Sequence, residues 1–343
     1  MHCEIIKVEE AIGHILCHDI TKIVKDEFKG PAYKKGYRIK TEDVPELIKM
    51  GKEHVYIIKL EAGEIHEDEA GIRLGRATAG TGVKYVGPRE GRVDLVAEIS
   101  GLLKIDLAAL EEINTLPELI LTTLPNNKVV KSGDVVAGTK VIPLAVREEL
   151  VVAAEKIATK GIINVLPFLC MNTGIIITGN EVYSGQITDS FGPVLTDKII
   201  SYGSKVFDLA FVPDDAKIIS EKIIEMASKG AELLLVCGGM SVDPDDVTCP
   251  GIRGSGAEIV KYGAPVLPGA MFLMAYLDSV PVMGLPACVL YYQTTILDLV
   301  LPRLMVGEEI TCHDIAKLAH GGLCRRCNKC KFPNCSFGMG GSC

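Results

Sequence analysis

The spacing of apolar positions changes along the chain and divides it into four stretches. Over residues 1–62, short apolar pairs such as Ile5-Ile6 alternate with turn signals at Lys29-Gly30-Pro31 and Lys35-Gly36. A helix is predicted over 44–50, ended by Gly51, and a strand over 54–60. This reads as a small α+β module. Over 63–147 a helix is predicted at 70–77, and glycines at 80, 82, 87, 91 and 101 then cut the chain into short strands, giving a β-rich second module. From 148 to 308 strand and helix alternate. A helix is predicted over 148–160. The run Gly174-Ile175-Ile176-Ile177-Thr178 has the continuous apolar character of a strand buried on both faces. Helices over 194–202 and 214–229 alternate with strands over 205–212 and 232–237, and a strand over 280–284 precedes one last helix over 289–301, stopped by Pro302. Short joints between such elements imply right-handed crossovers and a parallel, doubly wound sheet with helices on both faces. Residues 309–343 form a cysteine-rich tail.

Composition narrows the class of protein. With 48% hydrophobic and 23% charged residues, the chain has the balance of a folded, soluble protein rather than a disordered one. A formal net charge of −8 argues against nucleic acid as a partner, because phosphate contacts need a basic face. Positive charge collects over residues 311–343, where Lys317, Arg325, Arg326, Lys329 and Lys331 face Asp314 alone. Residues 1–20 interleave Glu4, Lys7, Glu9 and Glu10 with their apolar positions, which is unlike a signal or transit peptide, and no apolar run reaches membrane-spanning length. The expected location is the cytoplasm, without a membrane partner.

Three loops follow predicted strands and would meet on one rim, where ligands of such sheets bind. They are Thr178-Gly179-Asn180-Glu181 with Ile187-Thr188-Asp189-Ser190, then Gly238-Gly239-Met240-Ser241 running on through Val242 and Asp243 to Asp246 and Thr248, then Gly284-Leu285-Pro286. Glycines let backbone N–H groups approach an anion, and hydroxyls add donors. Carboxylates beside such a cradle point to Mg²⁺ between acid and phosphate, since like charges would otherwise repel the ligand.

In order and spacing these segments, together with Pro268-Gly269, resemble the molybdopterin molybdenumtransferase family and, in part, its smaller adenylyltransferase relatives. The resemblance covers roughly 170–305. It implies a three-layer αβα molybdopterin-binding domain that takes molybdopterin or its adenylylated form, with Mg²⁺ assisting insertion of molybdate. Glu181, Asp189 and Asp246 would then handle the metal or orient the nucleotide. Gly238, Gly239 and Ser241 would cradle phosphate, with Thr178, Gly179, Ser190, Thr248, Gly284 and Pro286 completing the ligand site. The family's Lys-Pro-Gly-Lys-Pro signature is replaced here by Leu267-Pro268-Gly269-Ala270-Met271, and its Gly-Leu-Pro-Gly-Asn-Pro-Val-Ser by a segment that begins Gly284-Leu285-Pro286-Ala287-Cys288. The Asp-Gly-Tyr-Ala region of the N-terminal module is absent. Arg73, Arg76, Lys84 and Arg89 are candidate substitutes for the missing lysine charge. The resemblance also implies a homodimer and delivery to a recipient molybdoenzyme.

The twelve cysteines are unevenly spread. Cys3, Cys17, Cys170, Cys237, Cys249 and Cys288 are scattered, in the manner of small buried thiols, and six others crowd into the tail. There Cys324, Cys327, Cys330 and Cys335 are separated by two, two and four residues, a spacing that suits a [4Fe-4S] cluster or tetrahedral Zn²⁺. Two readings of function stay open: a cofactor-maturing transferase, or a non-catalytic pterin carrier or redox- or metal-sensing regulator that signals through this tail.

Overall fold

The computed structural model describes residues 2–24, 28–89, 91–241 and 243–340; Val242 of the second rim loop and the terminal Cys343 lie outside them. Two compact units emerge. The first comprises 1–98, 106–123 and 133–164, the second 99–105, 124–132 and 165–343.

The first unit opens with an antiparallel sheet in which His54–Lys59 lies between His2–Lys7 and Ile15–Leu16. Alternation along His54–Lys59 puts Val55 and Ile57 in a small core with Val8, Leu16, Ile39 and Leu47 of the helix Asp43–Lys49. Cys3 and Cys17, read from the sequence as separate thiols, are joined by a disulfide that ties the first strand of this sheet to the residue following Ile15–Leu16. A four-stranded antiparallel sheet follows in the order Leu119–Thr123, Val135–Val141, Arg92–Ala97, Val83–Arg89. The helix Glu67–Thr78 packs on it and begins earlier than predicted, because the His66 imidazole accepts from the Asp68 amide and caps it.

The second unit is built on a six-stranded sheet. Its strands are β1 (Asn172–Thr178), β2 (Lys205–Val212), β3 (Leu233–Cys237), β4 (Glu258–Tyr262), β5 (Leu273–Leu277) and β6 (Val280–Leu285). The order is β2-β1-β3-β6-β5-β4. The strands β2, β1, β3 and β6 are parallel, as the short joints require, whereas β5 runs antiparallel to both its neighbours, β6 and β4, and makes the sheet mixed. Helices α1 (Asn180–Tyr183), α2 (Phe191–Ser201), α3 (Ala216–Ser228) and α4 (Thr248–Gly254) connect β1 through β4. Every residue of β3 is buried, and the two faces of the sheet feed separate cores: Ile175, Ile177, Leu235 and Met283 on one side, Ile176, Leu234, Val236 and Val282 on the other. Apolar layers on both faces make a three-layer α/β unit.

The helix expected over 289–301 is broken in two. α5 (Cys288–Tyr291) and α6 (Leu297–Leu304) are separated where the Ile296 amide turns to the Pro268 carbonyl, 3.3 Å away. Pro302 lies inside α6 rather than ending it. The tail contributes α7 (Cys312–Lys317), started by a capping box between Thr311 and Asp314. Among the described residues no helix is long and apolar enough to cross a membrane.

Candidate functional site at the ends of β1 and β3

The chain leaves β1 towards β2 on one side, and leaves β3 towards β6 on the other. The direction of winding therefore reverses between the C-terminal ends of β1 and β3, the place where sheets of this kind bind their ligands.

Thr178 ends β1 and Thr248 begins α4; both are buried, and their hydroxyl oxygens lie 3.1 Å apart. Between them runs the turn Gly238-Gly239, with φ of 98° and 50°. A β-carbon on Gly238 would come within 2.4 Å of the Thr178 carbonyl oxygen, so only glycine lets β3 turn this close to β1. The Gly239 carbonyl accepts from the Thr248 amide at 3.3 Å and closes the loop. Thr178, Gly238, Gly239 and Thr248 are thus brought together as one structure.

The carboxylates fall into two groups. Asp189 accepts from the Phe191 and Gly192 amides at 2.8 and 2.9 Å and so tethers the start of α2. It also stands beside the end of β3: burial pushes the Cys237 thiol well up, and the Asp189 charge adds to the shift. Asp246 accepts from the Ser241 amide at 2.7 Å, which braces the second loop. Both acids therefore have structural work in the absence of any ligand. Glu181 differs, since its side chain is exposed on α1 next to Gly179. Ser190 is exposed just before α2. Gly284 and Pro286 lie at the end of β6, where Gly284 packs against Met240 and Leu273.

Two contacts of this rim were not found from the sequence. Asn180 and Asp214 exchange hydrogen bonds, Asn180 N to Asp214 Oδ2 at 2.9 Å and Asp214 N to Asn180 Oδ1 at 3.2 Å, and these fasten α1 to the end of β2. The cap of α3 is the next residue, Asp215. Tyr262 of β4 donates its hydroxyl to the Met240 carbonyl at 3.0 Å and supports the second loop from behind.

Arg73, a candidate substitute for the missing lysines, is committed elsewhere. Its guanidinium forms a two-pronged pair with Glu155 at 2.9 and 2.8 Å and a further bond to Glu148 at 2.7 Å within the first unit. Arg76 lies near the Tyr85 ring. Among the described residues, no group of three or more His, Cys, Asp or Glu side chains is arranged to hold a metal ion. The tail thiols Cys324, Cys327, Cys330 and Cys335 all border a single cavity.

The rim lies wholly inside a recognisable domain. Residues 174–306 match the family described as a probable molybdopterin binding domain. Residues 5–59 match a domain of unknown function. A protein of Archaeoglobus fulgidus is 42% identical over 78 residues, which are 23% of this chain and 34% of that protein. A CinA-like protein of Mycolicibacterium vanbaalenii is 31% identical over 88 residues, 25% of this chain and 21% of its own length. The chain thus spans about a third or less of the length of these relatives. Among solved structures, the molybdopterin biosynthesis enzyme MoaB of Thermus thermophilus is similar over 40% of this chain and 98% of its own, with 18% identity and a TM-score of 0.34.

Proposed function

We propose that the rim between β1 and β3 binds molybdopterin, or its adenylylated form, and that the protein acts in molybdenum cofactor biosynthesis. The observation that carries this reading is the coincidence of the molybdopterin-binding family match with a side-chain-free glycine turn, locked between Thr178 and Thr248, at the point where the winding of the sheet reverses. Such a turn leaves backbone amides, and no side-chain bulk, to meet a phosphate.

Charge decides what else the ligand needs. The loops 178–190 and 238–248 contain Glu181, Asp189, Asp243, Asp245 and Asp246 and no lysine or arginine. A phosphate brought there alone would be repelled, so a divalent cation has to enter with it. Mg²⁺ suits this setting, because it is commonly held by one or two carboxylates, substrate phosphates and water rather than by an all-protein cage. The exposed Glu181 is the carboxylate we assign to it, while Asp189 and Asp246, already bonded to amides, hold the two loops in register. When bound, the ion would neutralise phosphate charge and favour departure of an anionic leaving group.

Leu267 and Ala270 stand where the resembling family has lysines and supply no positive charge, so ligand binding and molybdenum transfer are separate parts of the proposal. Purified protein should retain molybdopterin through gel filtration, and Gly238→Ala should abolish retention. With adenylylated molybdopterin, molybdate and Mg²⁺, the transferase reading requires release of AMP. Retention without AMP release would leave a pterin carrier, and failure to retain the pterin at all would overturn the proposal.

A further inference from the structure

The cysteine tail is docked, by paired backbone hydrogen bonds, onto the segment that carries Leu267. The Leu267 amide donates to the Gly322 carbonyl and the Cys324 amide donates to the Leu267 carbonyl, both at 2.8 Å. Phe337 is buried in the core of the sheet unit, and Cys324, Phe332 and Cys335 pack against that core. The Gly338 amide closes back on the Gly321 carbonyl at 3.0 Å. The tail is thus a folded loop with fixed ends.

That loop encloses a cavity of about 310 Å³, whose border includes Cys324, Cys327, Cys330 and Cys335. No three of these thiols converge closely enough to grip one ion. In a tetrahedral zinc site with Zn–S near 2.3 Å, the sulfurs stand only about 3.8 Å apart. Thiols spread around a space much larger than a single ion instead suit a polynuclear centre, in which each thiolate binds a different metal atom.

Two polar groups already address the sulfurs. The Arg326 amide points at Cys324 Sγ from 3.5 Å, and Thr294 Oγ1 lies 3.2 Å from Cys330 Sγ. Hydrogen bonds to cysteine sulfur are among the interactions that tune iron–sulfur centres. The Arg326 guanidinium lies 5.3 Å over the Tyr292 ring, at the same wall. From Ile315 onward the sequence has no Asp or Glu, while Arg325, Arg326, Lys329 and Lys331 all lie within the loop. Four thiolates around a cluster carry a net charge of about −2, which this basic loop offsets.

We infer that Cys324, Cys327, Cys330 and Cys335 bind a [4Fe-4S] cluster in this cavity, each thiol giving up its proton to ligate one iron. The site is independent of pterin binding and stands or falls separately. The test uses the full chain, purified without oxygen and reconstituted with ferric iron, sulfide and a dithiol that supplies the two electrons the cluster core requires. About four iron and four sulfide per chain, with the Mössbauer spectrum of a cubane cluster, are expected. Cys330→Ser and the more exposed Cys327→Ser should each lose most of the iron, and Cys170→Ser, outside the tail, should lose none. One zinc per chain without sulfide, two iron per chain, or no bound metal would each overturn the inference, as would Cys327→Ser and Cys330→Ser variants that keep the wild-type iron content. If a serine variant fails to fold by circular dichroism, the metal and sulfide content of the wild-type chain still decides the matter.

Discussion

The hydroxyl pair Thr178–Thr248 fastens the end of β1 to the start of α4, and its replacement by valine isolates that contact. Thr248 is fully buried and Thr178 is 4% exposed, so neither hydroxyl can exchange its partner for bulk water. Valine matches threonine in shape, so neither substitution opens a cavity. Removing one hydroxyl loses a bond with a net worth of about 1 kcal/mol and strands its partner in the interior, at a total cost of about 1–3 kcal/mol. Removing both leaves no stranded group. The double variant Thr178→Val/Thr248→Val should therefore be destabilised by less than the sum of the singles, with a coupling of about 1–2 kcal/mol. The measurement is guanidinium unfolding of all four chains followed by far-ultraviolet circular dichroism, read on the transition of the sheet unit. Additive losses, or singles that cost less than about 0.5 kcal/mol, would show that the hydroxyls do not hold the two ends together.

Three further expectations follow. Gly238→Ala should cost about 1–3 kcal/mol from its left-handed backbone and more from the clash with Thr178, whereas Gly185→Ala, with φ of 75° and nothing within 4 Å, should show the backbone cost alone in the same unfolding assay. Asp314 sits at about 2 although burial opposes its charge, because hydrogen bonds from Thr311 and Arg303 outweigh that penalty. Its ionised form stabilises the fold above the ordinary value of 3.8, and about 2 kcal/mol should be lost as pH falls from there towards 2, a loss that Asp314→Asn should not show. His66 is shifted the other way, since burial disfavours its charged form and lowers its pKa. Unfolding then takes up a proton below the ordinary value of 6.5, so stability should rise with pH up to about 6.5 and level off above it, and His66→Gln should flatten that part of a melting-temperature profile.

Much of the sheet unit is legible in the sequence because its strands bury both faces. The predicted strand over 205–212 coincides with β2, and the apolar run before Gly238 is β3. Glycines at 203 and 230, both with positive φ, marked the ends of α2 and α3 correctly. The errors lie where distant segments decide local structure. The stretch from 289 reads as one helix, but the Ile296 amide turns to the distant Pro268 carbonyl, while the Asp298 and Thr295 side chains accept from the Thr295 and Leu297 amides and start α6 afresh. The pair β4 and β5 was missed as a pair, because an antiparallel hairpin at the sheet edge leaves only short apolar runs to read. At the rim, the sequence identified the carboxylates by type, but the backbone amides that hold Asp189 and Asp246, and the pairing of Asp214 with Asn180, exist only in three dimensions.

The most direct test of the account is hydrogen–deuterium exchange of the full chain with and without molybdopterin, in the presence of Mg²⁺. Amides of 178–190 and 238–248 should slow together on addition of the pterin, and Glu181→Gln should weaken that protection without altering exchange in the ligand-free chain. Unchanged exchange in both loops at saturating pterin, or protection confined to segments away from the ends of β1 and β3, would contradict it.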